Sequence, residues 1–343
     1  MSLSELGSSI GRYFSLVSLV PSTITVLYVF FLVNSGAWSG PPVWAAAWNT
    51  LEGAGPGVWT LIVGLALALG LAAHPLQFPL VQAYEGYWGR TVLARRLWLD
   101  RSSAHARKAV HNSDLLNHLK GLEPDTDAAS REALWVAGLR VDVDRAAARY
   151  PQPAPDAPSP FMPTRLGNVL RRYELLAGAP YGLSGVQAVP YLALVADERD
   201  VRYLDDQRAT LDLVVRLSAM SLLACAITVV FLWNDGLWLL LALVPYALGY
   251  LFYRGAVAVA HEYGTAMAAL IALNRDALYR RLRLSLPESA AAERRRNGSS
   301  LRYLLGLERT AQAEYVDPDQ SPGATQVKDL AGGGTDPAGR MGS

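Results

Sequence analysis

Four stretches of this chain are too apolar and too long to remain in water, and they constrain everything else. They lie at about 13–33, 58–80, 214–233 and 237–253, and within them the ionisable residues are confined to the ends. A bilayer core of about 30 Å needs about 20 residues of helix, so each run is of spanning length or close to it. The sequence therefore predicts an all-α, polytopic membrane protein with four transmembrane helices arranged as two hairpins. The first run has no basic region followed by a small-residue cleavage site, and reads as an uncleaved anchor rather than a signal peptide. Pro21 either kinks this span or begins it, since proline suits the first turn of a helix. The third and fourth runs are separated only by Asn234-Asp235-Gly236, and so must form an antiparallel hairpin.

Orientation follows from lysine and arginine near the span ends. The segment 34–57 and the turn at 234–236 contain neither. The segment 90–108 holds six basic residues against one acid, and 275–302 holds eight against three. All basic clusters fall on one side of a four-span chain, which places both termini in the cytoplasm. The expected location is a bacterial cytoplasmic membrane. Trp38, Trp44, Trp48, Trp59, Trp233 and Trp238 then collect near the opposite interface, where amphipathic rings anchor. Formal net charge is only +1, so no overall field recruits nucleic acid. The one cysteine, Cys225, sits in an apolar run and has no partner for an intrachain disulfide.

The expected organisation is a first hairpin over 1–84, a helical cytoplasmic region over 85–208, a second hairpin over 209–260, C-terminal helices over 261–315 and a disordered tail over 316–343. Within the cytoplasmic region, 84–119 reads as one helix or two. Another helix, 127–149, has Asp125, Thr126 and Asp127 available as caps. Six prolines make 150–163 an extended connector. Thr164 is placed to cap a helix with Leu166, Val169, Leu170 and Tyr173 on its apolar side and Arg165, Asn168 and Arg172 opposite. Ser184 precedes a short helix marked by Pro190. Asp197 begins a long helix that enters the third span, and the fourth span continues past Arg254 into the cytoplasm.

Sites of known chemistry are not legible. His261-Glu262 opens like a zinc-protease motif, but the second histidine is replaced by Thr265. His111, Asp114 and His118 share helical spacing, yet on an arginine-rich surface they read as solvated positions. The glycine-rich segments lack the lysine of a phosphate loop. No cofactor and no metal is implied, and the reading leans away from an enzyme. Two constellations stand out. His74, Glu85, Asp212, Arg216, His261 and Glu262 lie at the cytoplasmic ends of the spans, where charges are costly unless paired or hydrated, and antiparallel packing brings them to one level as a candidate polar vestibule. Thr164, Gly167 and Asn168 form a candidate helix contact. Gly167 costs about 1 kcal/mol relative to alanine inside a helix, which points to another helix approaching closely there, with Asn168 bonded across the contact.

The segments FMPTRLGNVLRRYE, PYGL, YLDDQR, HPLQFPLVQAYEGYWG and HEYGTAMAALIALNRDALYRRL together resemble a group of uncharacterised bacterial multi-pass membrane proteins. The resemblance covers most of 74–293. It implies a shared four-helix architecture and no activity, substrate or cofactor. The expected partners are the lipid bilayer and either a second copy of the chain or a cytoplasmic protein. A membrane-anchored interaction or sensory protein ranks first, an oligomeric channel or passive transport subunit second, and a membrane-interface enzyme third.

Overall fold

The computed structural model describes residues 18–121, 131–152 and 161–298. Among them are eleven α-helices and no strand: α1 (Val20–Asn34), α2 (Trp44–Glu52), α3 (Pro56–Ala73), α4 (Gln77–Glu85), α5 (Val92–Gly121), α6 (Arg131–Ala147), α7 (Arg165–Leu176), α8 (Gly185–Ala193), α9 (Glu198–Phe231), α10 (Leu243–Arg281) and α11 (Ala290–Arg296). Short 3-10 turns cover Ala179–Tyr181 and Gly236–Ala242. The caps anticipated at Asp125, Thr126 and Asp127, the middle of the proline connector and the tail lie outside the described residues.

Three helices are long and apolar enough to cross a membrane: Pro56–Ala73, Glu198–Phe231 and the continuous helical stretch Gly236–Arg281. The first expected span, 13–33, is described as helix only over the 15 residues of α1, about 22 Å at 1.5 Å per residue. Pro21 stands in the first turn of α1, after a π-type turn at Ser18 and Leu19.

The spine of the molecule is the antiparallel pair α9 and α10, joined at Gly236 in a left-handed conformation. The fourth helix does not start as a regular α-helix at Leu237. Pro245 lies in the first turn of α10, has no N–H to give to Leu241, and its ring clashes with that carbonyl in an α-helical ladder. The chain ahead of it winds instead as 3-10 turns. The pair packs closely at Gly249, where an added Cβ would lie 3.1 Å from Leu222, and the Ser218 hydroxyl donates to the Gly249 carbonyl at 2.8 Å. At 34 and 39 residues, α9 and α10 run about 51 and 58 Å, far beyond a core of about 30 Å.

The first pair, α1 and α3, packs on this spine from one side. Tyr28 and Thr228 share a hydrogen bond between α1 and α9, and Gly70 of α3 lets the Ser18 backbone approach. At the end near the α9–α10 turn, Leu32, Ala37 and Leu232 close a small core, and Trp48 of α2 lies on Phe31.

At the other end of the spine the chain forms a helical platform. The segment after α3 yields two helices. Gly86, with φ of +110°, and Gly89, with φ of +87°, break it between α4 and α5. α5 and α6 form their own hairpin. α7 and α8 lie against α10, and the main core gathers there around Leu192, Leu204, Leu270, Ile271, Leu278 and Tyr279.

Candidate functional site

The platform is organised by the start of α7. Thr164 caps it as anticipated from the sequence: its hydroxyl accepts from the Gly167 N–H at 2.9 Å and donates to the Glu85 carbonyl at the end of α4, also at 2.9 Å. One side chain thus satisfies a donor orphaned at one helix start and an acceptor orphaned at another helix end. Gly167 meets the same carbonyl. A Cβ there would fall 2.0 Å from the Glu85 oxygen, and one on Gly86 would fall 2.3 Å from Pro163.

Asn168 differs from the sequence expectation. It is fully buried rather than on the polar side of α7, and it does not reach across to another helix. Its amide folds back on the preceding loop, accepting from the Met162 N–H at 3.0 Å and donating to the Met162 and Thr164 carbonyls at 2.7 and 2.6 Å. The proline-rich approach leaves those backbone groups without a ladder, and Asn168 supplies one. One and a half turns later, the Tyr173 ring lies flat on Gly264 of α10, where an added Cβ would sit 2.1 Å from it. Tyr173 also stands edge-on to His261.

The six residues expected to form a vestibule are distributed over separate places. Arg216 is almost completely buried, with its guanidinium donating to the Ser18 hydroxyl and, at 2.9 Å, to the Ala73 carbonyl at the end of α3. Asp212 is buried one turn away, and its carbonyl accepts from Gln77 at 3.1 Å. His74, next to Ala73, is exposed. Glu85 instead belongs to the contact with α7, where burial and then the nearby Glu174 carboxylate push its carboxyl up to about 7. His261 faces Tyr173, and Glu262 is exposed. The chain brings Arg216 and Asp212 together with the α3–α4 junction, and leaves Glu262 apart from them.

Two features escaped the sequence reading. One is a buried polar cluster that fastens α11 to α10. The Glu293 carboxylate accepts from Tyr279 at 2.8 Å and from Arg275 at 3.0 Å, while Asn297 donates to the Tyr279 hydroxyl and to the Tyr181 carbonyl. Arg275 and Arg296 stack on Tyr181 and Tyr279, each 4.4 Å from the ring centre. A buried network of this kind, tying α11 to α10 and to the Tyr181 turn, reads as structural. The other is an open cleft of about 450 Å³ where α5, the start of α7 and α10 meet. Among the described residues no three His, Cys, Asp or Glu side chains are grouped to hold a metal; His111, Asp114 and His118 are all exposed.

No family model, curated protein or solved structure matches the chain at a significant level.

Proposed function

We propose that the chain is a four-span protein of a bacterial cytoplasmic membrane, with both termini inside, which presents its helical platform to a second copy of itself or to a cytoplasmic protein. The resemblance to bacterial multi-pass membrane proteins agrees with this architecture and adds no activity.

The observation that carries the interaction reading is the α5–α6 hairpin. It packs chiefly on itself, yet Val110, Leu134 and Trp135 are 55%, 63% and 67% exposed, on a segment that the basic-residue pattern places outside the bilayer. Large apolar side chains left this exposed on a water-facing segment support an interaction surface. A pore has less support, because Thr25, Thr228 and Ser218, which lie within the spans, are engaged inside the chain. Thr25 donates to the Pro21 carbonyl, Thr228 bonds Tyr28 and the Ala224 carbonyl, and Ser218 links Tyr84 to Gly249.

Two measurements test the reading. In a Cys225→Ser background, single cysteines at Ser39 and Asp235 should react with an impermeant thiol reagent added to intact cells, and those at Ser113 and Ser184 should not. Labelling at Ser184 would overturn the four-span topology. For the interaction, Leu134→Ser combined with Trp135→Ser should abolish in-cell cross-linking through the hairpin and leave thermal stability unchanged. Unaltered cross-linking, or single-channel currents from the purified protein in bilayers, would replace it with the channel reading.

A further inference from the structure

The open cleft between α5, α7 and α10 has two chemically different walls. One carries Arg101 and His105 of α5 and Arg165 of α7; the other carries Trp88, Tyr250 and Tyr253. Among the described residues no carboxylate lines it. Its volume, about 450 Å³, lies in the range of small-ligand sites. The positive wall is reinforced by backbone. The Arg165 N–H, an orphan donor of the first turn of α7, donates to the Tyr253 hydroxyl at 3.2 Å, so the positive end of a 12-residue helix meets the cleft. Burial first, and after it Lys108, Arg165 and Arg101, push the His105 imidazole below its ordinary value.

Position narrows the ligand. Tyr250 and Tyr253 end the apolar stretch of α10, immediately before Arg254, at the level where aromatic rings mark a membrane interface. Beside the cleft, Val92 and Leu93 of α5 are 72% and 69% exposed, although α5 is otherwise rich in arginine. A ligand that fits must be anionic beside Arg101 and Arg165 and apolar beside Leu97 and Tyr250. Arginine pairs bind phosphate oxygens in a bidentate fork, and basic pockets between helices on the cytoplasmic side bind phospholipid headgroups.

We infer that this cleft binds the phosphate headgroup of an anionic membrane lipid, held between Arg101 and Arg165, with its chains descending along α10. Binding there ties α5 and α7 to the bilayer surface. The cleft thus sets the posture of the cytoplasmic platform, and the inference does not depend on which protein that platform meets.

The test uses the full chain in phosphatidylcholine nanodiscs with and without phosphatidylglycerol, and reads bound lipid by native mass spectrometry together with thermal stability. Phosphatidylglycerol should be retained selectively and should raise stability. Arg101→Gln and Arg165→Gln should each weaken its retention about tenfold, the effect of losing a charge-assisted hydrogen bond to a phosphate oxygen. Arg96→Gln removes the same charge from the same helix, outside the cleft, and should change retention less than twofold. Stability of all three variants in phosphatidylcholine alone should match the parent. Equal weakening by Arg96→Gln would reduce the effect to general surface attraction and overturn the inference. Displacement of phosphatidylglycerol by inorganic phosphate, with equal stabilisation, would assign the cleft to a soluble phosphate and refute the lipid as its occupant.

Discussion

Replacing Gly167 by alanine should destabilise the protein, although alanine is the better helix former. The new methyl carbon would fall 2.0 Å from the Glu85 carbonyl oxygen and 2.9 Å from both the Glu85 carbonyl carbon and the Met162 Cβ, against an ordinary contact of 3.4 Å or more. Relief requires α7 and the end of α4 to separate by more than about 1 Å, an overpacking cost of roughly 2 kcal/mol. The same movement stretches the 2.9 Å bond from Thr164 to Glu85, worth about 1 kcal/mol. Helix propensity returns about 1 kcal/mol. The expected net loss is about 2 kcal/mol. Gly138, inside α6, provides the control, because a Cβ there meets nothing within 4 Å. Gly138→Ala should therefore stabilise by up to about 1 kcal/mol. Unfolding of both variants in mixed detergent micelles, followed by tryptophan fluorescence, should separate them by about 3 kcal/mol. If Gly167→Ala is as stable as Gly138→Ala, the close approach of α7 to Glu85 is refuted.

The other contacts give sharper tests of connectivity. Gly264→Ala should cost roughly 2 kcal/mol by driving a methyl into the Tyr173 ring, and nearly all of that cost should vanish in a Tyr173→Ala background; a coupling below about 0.5 kcal/mol in this double-mutant cycle would separate the two residues. Arg216→Met should cost about 2 kcal/mol in the same unfolding assay, because it removes charged hydrogen bonds to Ser18 and to the Ala73 carbonyl; a neutral result would refute the bridge between α9 and the first hairpin. Glu85, raised from 4.5 to about 7 by burial and Glu174, binds its proton more tightly in the folded chain than in the unfolded one. Its contribution is therefore least unfavourable below pH 4.5, worsens as pH rises toward 7 and is level above that. Glu85→Gln should flatten the fall in thermal stability between pH 4.5 and 7, and a parent curve that rises across that window would refute the assignment.

What the sequence disclosed and what it hid divide along a physical line. Hydrophobic runs and caps act over a few residues, so the turn at Asn234-Asp235-Gly236, the Thr164 cap and the continuation of both long helices beyond the apolar stretches were all legible. The cost of Gly167 in a helix also pointed to a contact, but its partner, the Glu85 carbonyl, lies 82 positions earlier and has no side-chain signature. Asn168 was placed with the arginines because helical periodicity takes it for a surface position. Its burial comes from a loop that needs hydrogen-bond partners, which periodicity does not register. For the six ionisable residues at the span ends, sequence gave depth without azimuth. His261 and Glu262 share a level, yet the 100° between successive helical residues turns one toward Tyr173 and the other to water. The cleft was hidden because Trp88, Arg101, Arg165 and Tyr253 come from three separate stretches of chain. Glu293 was hidden inside an arginine-rich run, where one acid reads as surface balance.

The strap made by α7 also sets an order of events during synthesis. Its start can dock on Glu85 as soon as it emerges, but the seat for Tyr173, Gly264, is still 91 residues from being made. At roughly 5–20 residues per second, the ribosome takes about 5–18 s to supply it. Through that interval Leu166, Val169 and Leu170 have the end of α4 beside them while their companions Ala256 and Ala260 do not yet exist. In the proposed four-span topology the half-made platform is then a short amphipathic helix lying beside an inserted hairpin, and delayed insertion of the second hairpin should prolong this state.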